Sequence, residues 1–138
     1  MVLIATDEGD DMLQGMATVS FYAADLDAAG RWYTEVTGVP PYYVRPGYVE
    51  FRLGPDEDEL GIIDARYAPP GRPDAPGGAI LHWAVDDPQV ALDRLVELGA
   101  REYLPVTARG EGFVTAVVVD PFGNLLGVMS NPHWAERV

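Results

Sequence analysis

One histidine sits inside an otherwise apolar stretch, Ile80-Leu81-His82-Trp83-Ala84-Val85. Imidazole titrates near neutrality, so a histidine on a cleft-facing strand can move a proton or hydrogen-bond a ligand. A satisfied, half-buried histidine fits the same pattern. Glu50 and Arg52 alternate with Val49, Phe51 and Leu53, so the two charged groups share the face opposite an apolar one. That face either lines a cleft or lies solvated at a sheet edge. His82 and Glu50 are therefore the candidate acid–base residues. Tyr22, Tyr42, Tyr43 and Tyr48 with Phe113 could wall a pocket for a planar or cationic ligand; ordinary core packing is the other reading. The acidic run Asp56 to Glu59 could attract a hard cation, but it lacks EF-hand spacing and also reads as a solvated hairpin tip. His133 and Trp134 follow Pro132 near the C-terminus, as a dimer contact or an exposed end.

Composition removes several other chemistries. The chain has 138 residues and no cysteine, which rules out disulfides, thiolate nucleophiles and cysteine-ligated metals. All nine basic residues are arginines, so a lysine Schiff base is excluded. A formal charge of -13 disfavours nucleic acid and anionic membrane; it keeps the protein soluble and can draw cationic ligands. No apolar run approaches the roughly 20 residues of a membrane span, and no secretory pattern is present, so a cytoplasmic location is expected. No Gly-rich phosphate loop, nucleophile elbow or basic aromatic patch is present.

The elements that must position these residues follow from periodicity. Val19, Phe21 and Ala23 alternate with Thr18, Ser20 and Tyr22, giving a strand within Met16 to Ala24. Asp25 is a good N-cap for a helix with apolar face Ala29, Trp32, Tyr33 and Val36, stopped by Gly38 and Pro40. Strands are expected at Tyr42 to Val44, Tyr48 to Leu53 and Leu60 to Asp64. Residues 65–79 hold four prolines and three glycines and read as a linker. Beyond it, Ile80 to Val85 is a strand, Asp87 caps a helix with apolar face Ala91, Leu95 and Leu98, and Gly99 stops it. Strands follow at Arg101 to Val106, Phe113 to Val119 and Leu125 to Ser130, the last two joined by the turn Asp120 to Asn124. Trp32, Tyr33 and Trp83 are placed between helix and sheet.

The second half thus repeats the first as β-α-β-β-β. Matching Gly47-Tyr48-Val49 with Gly112-Phe113-Val114 makes Phe113 the counterpart of Tyr48 and Thr115 that of Glu50. Each unit leaves one sheet face uncovered, and two units can close those faces around a cavity. The expected class is α+β, with two tandem βαβββ modules forming a curved mixed sheet around a cleft and the helices outside. The expected organisation is an arm, 1–15; one domain, 16–131, made of module one 16–64, linker 65–79 and module two 80–131; and a tail, 132–138.

Three motifs in order carry a family resemblance: Val19 to Tyr33 ending at Gly38, Val85-Asp86-Asp87-Pro88 through Leu98-Gly99-Ala100, and Asp120-Pro121-Phe122-Gly123-Asn124-Leu125. Over about residues 16–131 the chain resembles the glyoxalase/bleomycin resistance protein/dioxygenase (vicinal oxygen chelate) superfamily. The resemblance implies homodimerisation and metal-ligand positions at Thr18, Ile80, Gly127 and, by repeat spacing, near Ile62. None of these is His, Glu or Gln, and a divalent metal needs two or three such donors. No metal and no cofactor are therefore expected. The expected function is small-molecule binding, akin to the antibiotic-binding branch, with Ser20, Tyr22, Tyr43, Tyr48, Glu50, Arg52, His82, Phe113 and Thr115 contacting the ligand. The alternative is a lyase, isomerase, epimerase or dioxygenase. It would use a displaced metal site at His82, Glu50 and Glu59, or metal-free acid–base work by His82 with Glu50. A regulatory subunit with a vestigial cleft is the third reading.

Overall fold

The computed structural model describes residues 12–136. The segment expected to be an arm falls mostly outside them, and its residues 12–15 take no helix or strand. Module one runs β1 (Val19–Ala23), α1 (Leu26–Thr37), β2 (Tyr43–Arg45), β3 (Tyr48–Leu53) and β4 (Asp58–Asp64). A single 3-10 turn, Ala65–Tyr67, leads into the connection. Module two runs β5 (Leu81–Ala84), α2 (Pro88–Glu97), β6 (Arg101–Gly110), β7 (Phe113–Val119) and β8 (Leu125–Ser130). A short helix, α3 (Pro132–Glu136), replaces part of the expected tail, its start capped by Asn131 Oδ1, which accepts from His133 N and Trp134 N.

Each module forms a four-stranded mixed sheet, ordered β1-β4-β3-β2 and β5-β8-β7-β6. The first strand of each pairs parallel with the last, and the remaining pairs are antiparallel. Both helices start as the sequence dictates: Asp25 accepts from Ala28 N, and Asp87 accepts from Gln89 N and Val90 N, filling N–H groups that no helical carbonyl can reach. Helix α2 buries Leu92 and Leu95, so its apolar face is turned slightly from the expected Ala91–Leu95–Leu98 line.

One core joins the modules. Tyr33, Phe51 and Ile62 of the first pack in the same cluster as Leu92, Val118 and Leu126 of the second. Each such side chain contributes roughly 1.5–3 kcal/mol by leaving water. Polar clamps fix the relative pose. Tyr33 Oη donates to the buried Asp120 carboxylate at 2.5 Å, and the other carboxylate oxygen accepts from Phe122 N and Asn124 N. Burial, and then the neighbouring Asp120 charge, hold the Tyr33 phenol well above its ordinary pKa. Trp32 Nε1 donates to Leu98 O at 2.8 Å, and Asn124 Nδ2 donates to Tyr22 O at 2.9 Å. The turn Asp120 to Asn124 is thus a fastener that holds helix α1 of one module to the other.

Candidate functional site

The helices cover one face of each sheet. In β3, Val49, Phe51 and Leu53 are buried while Tyr48, Glu50 and Arg52 are half-buried on the opposite face. Tyr48 Oη donates to Glu50 Oε1 at 2.9 Å, and Arg52 Nε lies 3.5 Å from Glu50 Oε2. The Arg52 guanidinium stacks 3.9 Å from the centroid of the Tyr42 ring. Partial burial, then the bond to Glu50, push the Tyr48 phenol up to about 12. These three predicted residues form one network of a hydrogen bond and an ion pair, in which Arg52 Nε is buried without a hydrogen-bond partner among the described residues.

The remaining predicted residues scatter. Tyr22 lies beneath Arg72, whose guanidinium carbon is 5.0 Å from the ring centroid. Tyr43 and Ser20 are exposed. Thr115 Oγ1 accepts from Arg109 Nε at 3.1 Å, and Phe113 packs against His133. The strand registers also shift the repeat. Glu50 pairs with Gly61, and Gly61 with Ser20; Val117 pairs with Gly127, and Gly127 with His82. Val117 is therefore the counterpart of Glu50, and Thr115 that of Tyr48. The matching Gly-aromatic-Val triplets aligned two strand starts, but β7 begins two residues earlier in its module.

The registers correct one implied ligand position as well. Ile62 is 1% exposed within the helix-side core, so the residue matching Gly127 is Gly61. Both glycines lie under rings. A Cβ on Gly127 would stand 2.6 Å from His82 Cδ2 and 2.8 Å from its Cγ and Nε2. A Cβ on Gly61 would stand 2.8 Å from Tyr48 Cε1 and 2.9 Å from its hydroxyl oxygen. Thr18 Oγ1 donates to Glu59 O at 3.4 Å, and Ile80 packs with Val117, Val119 and Leu125. One hydroxyl, one aliphatic chain and two ring-covered glycines do not fit a divalent metal. Among the described residues no group of three His, Cys, Asp or Glu could hold one, so His82, Glu50 and Glu59 do not assemble a displaced site.

The His82 imidazole makes no hydrogen bond or ion pair to any described residue, while its backbone belongs to the β5–β8 ladder. It lines a cavity of about 600 Å³ at the junction of the modules, bounded by the start of β1, the β3–β4 hairpin, β5 and α3. Trp83, Leu81 and Trp134 supply apolar wall, and Asp56, Glu57, Asp58 and Glu59 supply four carboxylates with no arginine among the lining residues. Of the nine residues expected to contact a ligand, His82 alone lines this cavity. Trp83 packs against the core as expected, yet its edge is also cavity wall. Sequence spacing could flag Trp83 as His82's neighbour, but nothing local to Trp134 indicates that α3 brings it there.

A family model described as a glyoxalase-like domain matches residues 17–129. The chain belongs to that family. Among solved structures, a glyoxalase-related enzyme from Fulvimarina pelagi is 24% identical, with a TM-score of 0.70 over 87% of this chain and 90% of that one. A lactoylglutathione lyase from Agrobacterium tumefaciens is 24% identical, with a TM-score of 0.66 over 89% and 98%. A fosfomycin resistance protein from Mesorhizobium loti is 15% identical, with a TM-score of 0.66 over 92% and 100%. At these identities the likeness is one of fold, that of the glyoxalase/bleomycin resistance/dioxygenase superfamily. No curated protein matches the sequence. No helix among the described residues is long and apolar enough to cross a membrane.

Proposed function

We propose that this glyoxalase-like protein binds a planar, cationic small molecule in the junction cavity and does so without the family's metal. The observation that carries this reading is the lining itself: Trp83 and Trp134 as apolar walls, His82 with its imidazole unbonded to any described residue, and a rim of four carboxylates. Aromatic walls favour a flat, cationic ligand, and carboxylates at a low-dielectric mouth concentrate cations. A volume of about 600 Å³ suits a drug-sized molecule. Homodimerisation and a cytoplasmic location belong to the same proposal.

Proflavine, a flat monocation, tests it through quenching of tryptophan fluorescence. Saturable binding that weakens with added salt is expected. Glu59→Gln should weaken it by about 1.4- to 5-fold, the range of a single exposed charge pair. A flat anion such as anilinonaphthalene sulfonate binding equally well, or proflavine failing to saturate, overturns the reading.

The His82 imidazole, unbonded to any described residue, favours a second reading, in which it acts as a lone acid–base group on the bound molecule. Glu50, already bonded to Tyr48 and facing Arg52, does not partner it. Unchanged turnover in His82→Ala, measured on any substrate the cavity accepts, would remove that reading.

A further inference from the structure

The junction cavity has one wall that is only lightly attached. The β3–β4 hairpin and β5 are fixed by strand ladders, whereas helix α3 reaches the cavity through Trp134. None of the five residues of α3 is buried. A helix this short cannot sustain itself, so its position depends on a few fastenings. Asn131 caps it, its Oδ1 accepting from His133 N at 2.9 Å and from Trp134 N at 3.2 Å. Asn131 O also accepts from Ala135 N at 3.1 Å. Pro132 and His133 rest on the β6–β7 turn. A Cβ on Gly112 would stand 3.0 Å from Pro132 Cγ, and the His133 and Phe113 rings lie 5.7 Å apart. The exposed His133–Glu136 pair, at 3.9 Å, is internal to the helix and ties it to nothing else. Ser130, by contrast, ends a laddered strand and donates from Oγ to Gly112 O at 3.0 Å. Asn131 therefore separates a strand that its sheet fixes from a helix that nothing buries.

We infer that α3 is a clip hinged at Asn131, which closes on the flat cation proposed for the junction cavity and packs Trp134 against it. The inference rests on that reading of the cavity. In the ligand-free chain α3 passes between docked and open arrangements, because little apolar area holds it down. A ligand in the cavity gives the Trp134 ring a second surface to pack on, and the docked arrangement gains population. One aromatic contact of this kind changes an equilibrium by about 2- to 12-fold. The coupling is reciprocal: the ligand holds α3 closed by the factor by which closed α3 holds the ligand.

Amide hydrogen exchange of the full chain, labelled with nitrogen-15, is followed with and without proflavine. Without it, the Trp134 and Ala135 amides should exchange by local opening, faster than those of β8 and at rates that low urea leaves unchanged. Saturating proflavine should slow them about 2- to 12-fold. Trp134→Ala should weaken proflavine binding by the same factor. Asn131→Ala removes the cap without touching the cavity lining. It should speed α3 exchange and weaken proflavine by no more than Trp134→Ala does, since opening α3 forfeits only the Trp134 contact. In a Trp134→Ala background it should change proflavine affinity no further. Asn131→Ser, which keeps a capping oxygen, should behave as the parent. Exchange of α3 no faster than that of β8, exchange unmoved by bound proflavine, or an Asn131→Ala loss that persists without Trp134 overturns the clip. A parent chain that does not bind proflavine overturns the ligand class instead. Exchange in the ligand-free chain then decides the clip: α3 opening only together with β8 refutes it, and local opening sustains it.

Discussion

Adding one methyl group at Gly127 should destabilise the protein only while His82 is present. Gly127 lies in strand β8 with an ordinary extended backbone, so alanine meets no conformational penalty there. In isolation the change should stabilise a strand by roughly 0.5–1 kcal/mol, because glycine loses more freedom on folding. The obstacle is the imidazole, with three ring atoms 2.6–2.8 Å from the new Cβ. Cγ is one of them, so the ring cannot slip aside by moving its far end; the whole side chain must leave its rotamer. Overpacking of this kind costs about 1–3 kcal/mol. The net effect in the parent is therefore a loss of up to roughly 2.5 kcal/mol. In a His82→Ala background the same methyl should be neutral or stabilising. A double-mutant cycle from urea unfolding midpoints should return a coupling of about 1–3 kcal/mol. Equal effects of Gly127→Ala in both backgrounds would refute the claim that this glycine exists to seat the ring. Proflavine affinity should fall with both Gly127→Ala and His82→Ala, since one displaces the imidazole from the cavity wall and the other removes it.

Other outcomes follow from the same geometry. Tyr33→Phe strips a hydrogen bond from the buried Asp120 carboxylate and should cost about 1.5–3 kcal/mol, or roughly 5–10 °C in the calorimetric midpoint; an unchanged midpoint would show that the intermodule fastener carries no load. Tyr48 should be among the last phenols to ionise, near pH 12, and Glu50→Gln should bring its phenolate absorbance to lower pH. Because the folded pKa is raised, this group's stabilisation is complete below about pH 10 and is lost as pH rises towards 12. Protein purified without chelators should carry no near-stoichiometric metal, and Zn, Ni, Mn or Fe(II) should leave the melting temperature unmoved. A stoichiometric metal by elemental analysis would overturn the donor argument and move an enzyme ahead of a binding protein.

The fold was legible because it is written in short-range patterns. Strands β3, β7 and β8 have the bounds that alternation and turn residues imply, and both helices begin at the aspartates that cap them. The errors lie where a local pattern had to be carried across strands. Repeat spacing placed the counterpart of Gly127 only near Ile62, and hydrogen-bond register places it at Gly61. A one-residue slip exchanges the two faces of a strand, so a position known only to within a residue could not be assigned to the core face or the open face. The same limit misaligned Thr115 and Phe113 with module one.

The site was less legible for a different reason. Tyr48, Glu50 and Arg52 share a face because β3 alternates, and alternation is visible in sequence. What that face meets is decided by how two modules dock, and the docking is set by contacts such as Tyr33 with Asp120 that lie 87 positions apart. Once docked, the open-face cluster of module one is tied together by the Tyr48–Glu50 hydrogen bond and the Glu50–Arg52 ion pair. His82 and the hairpin carboxylates instead gather in the cavity that the edge strands β1 and β5 border without pairing. A duplicated module cannot reserve such a junction in advance, since neither copy contains both sides of it. Chemistry placed there can diverge without disturbing either sheet. The histidine that replaces Ser20 at the matching register position is one such divergence, tolerated because Gly127 leaves room for its ring.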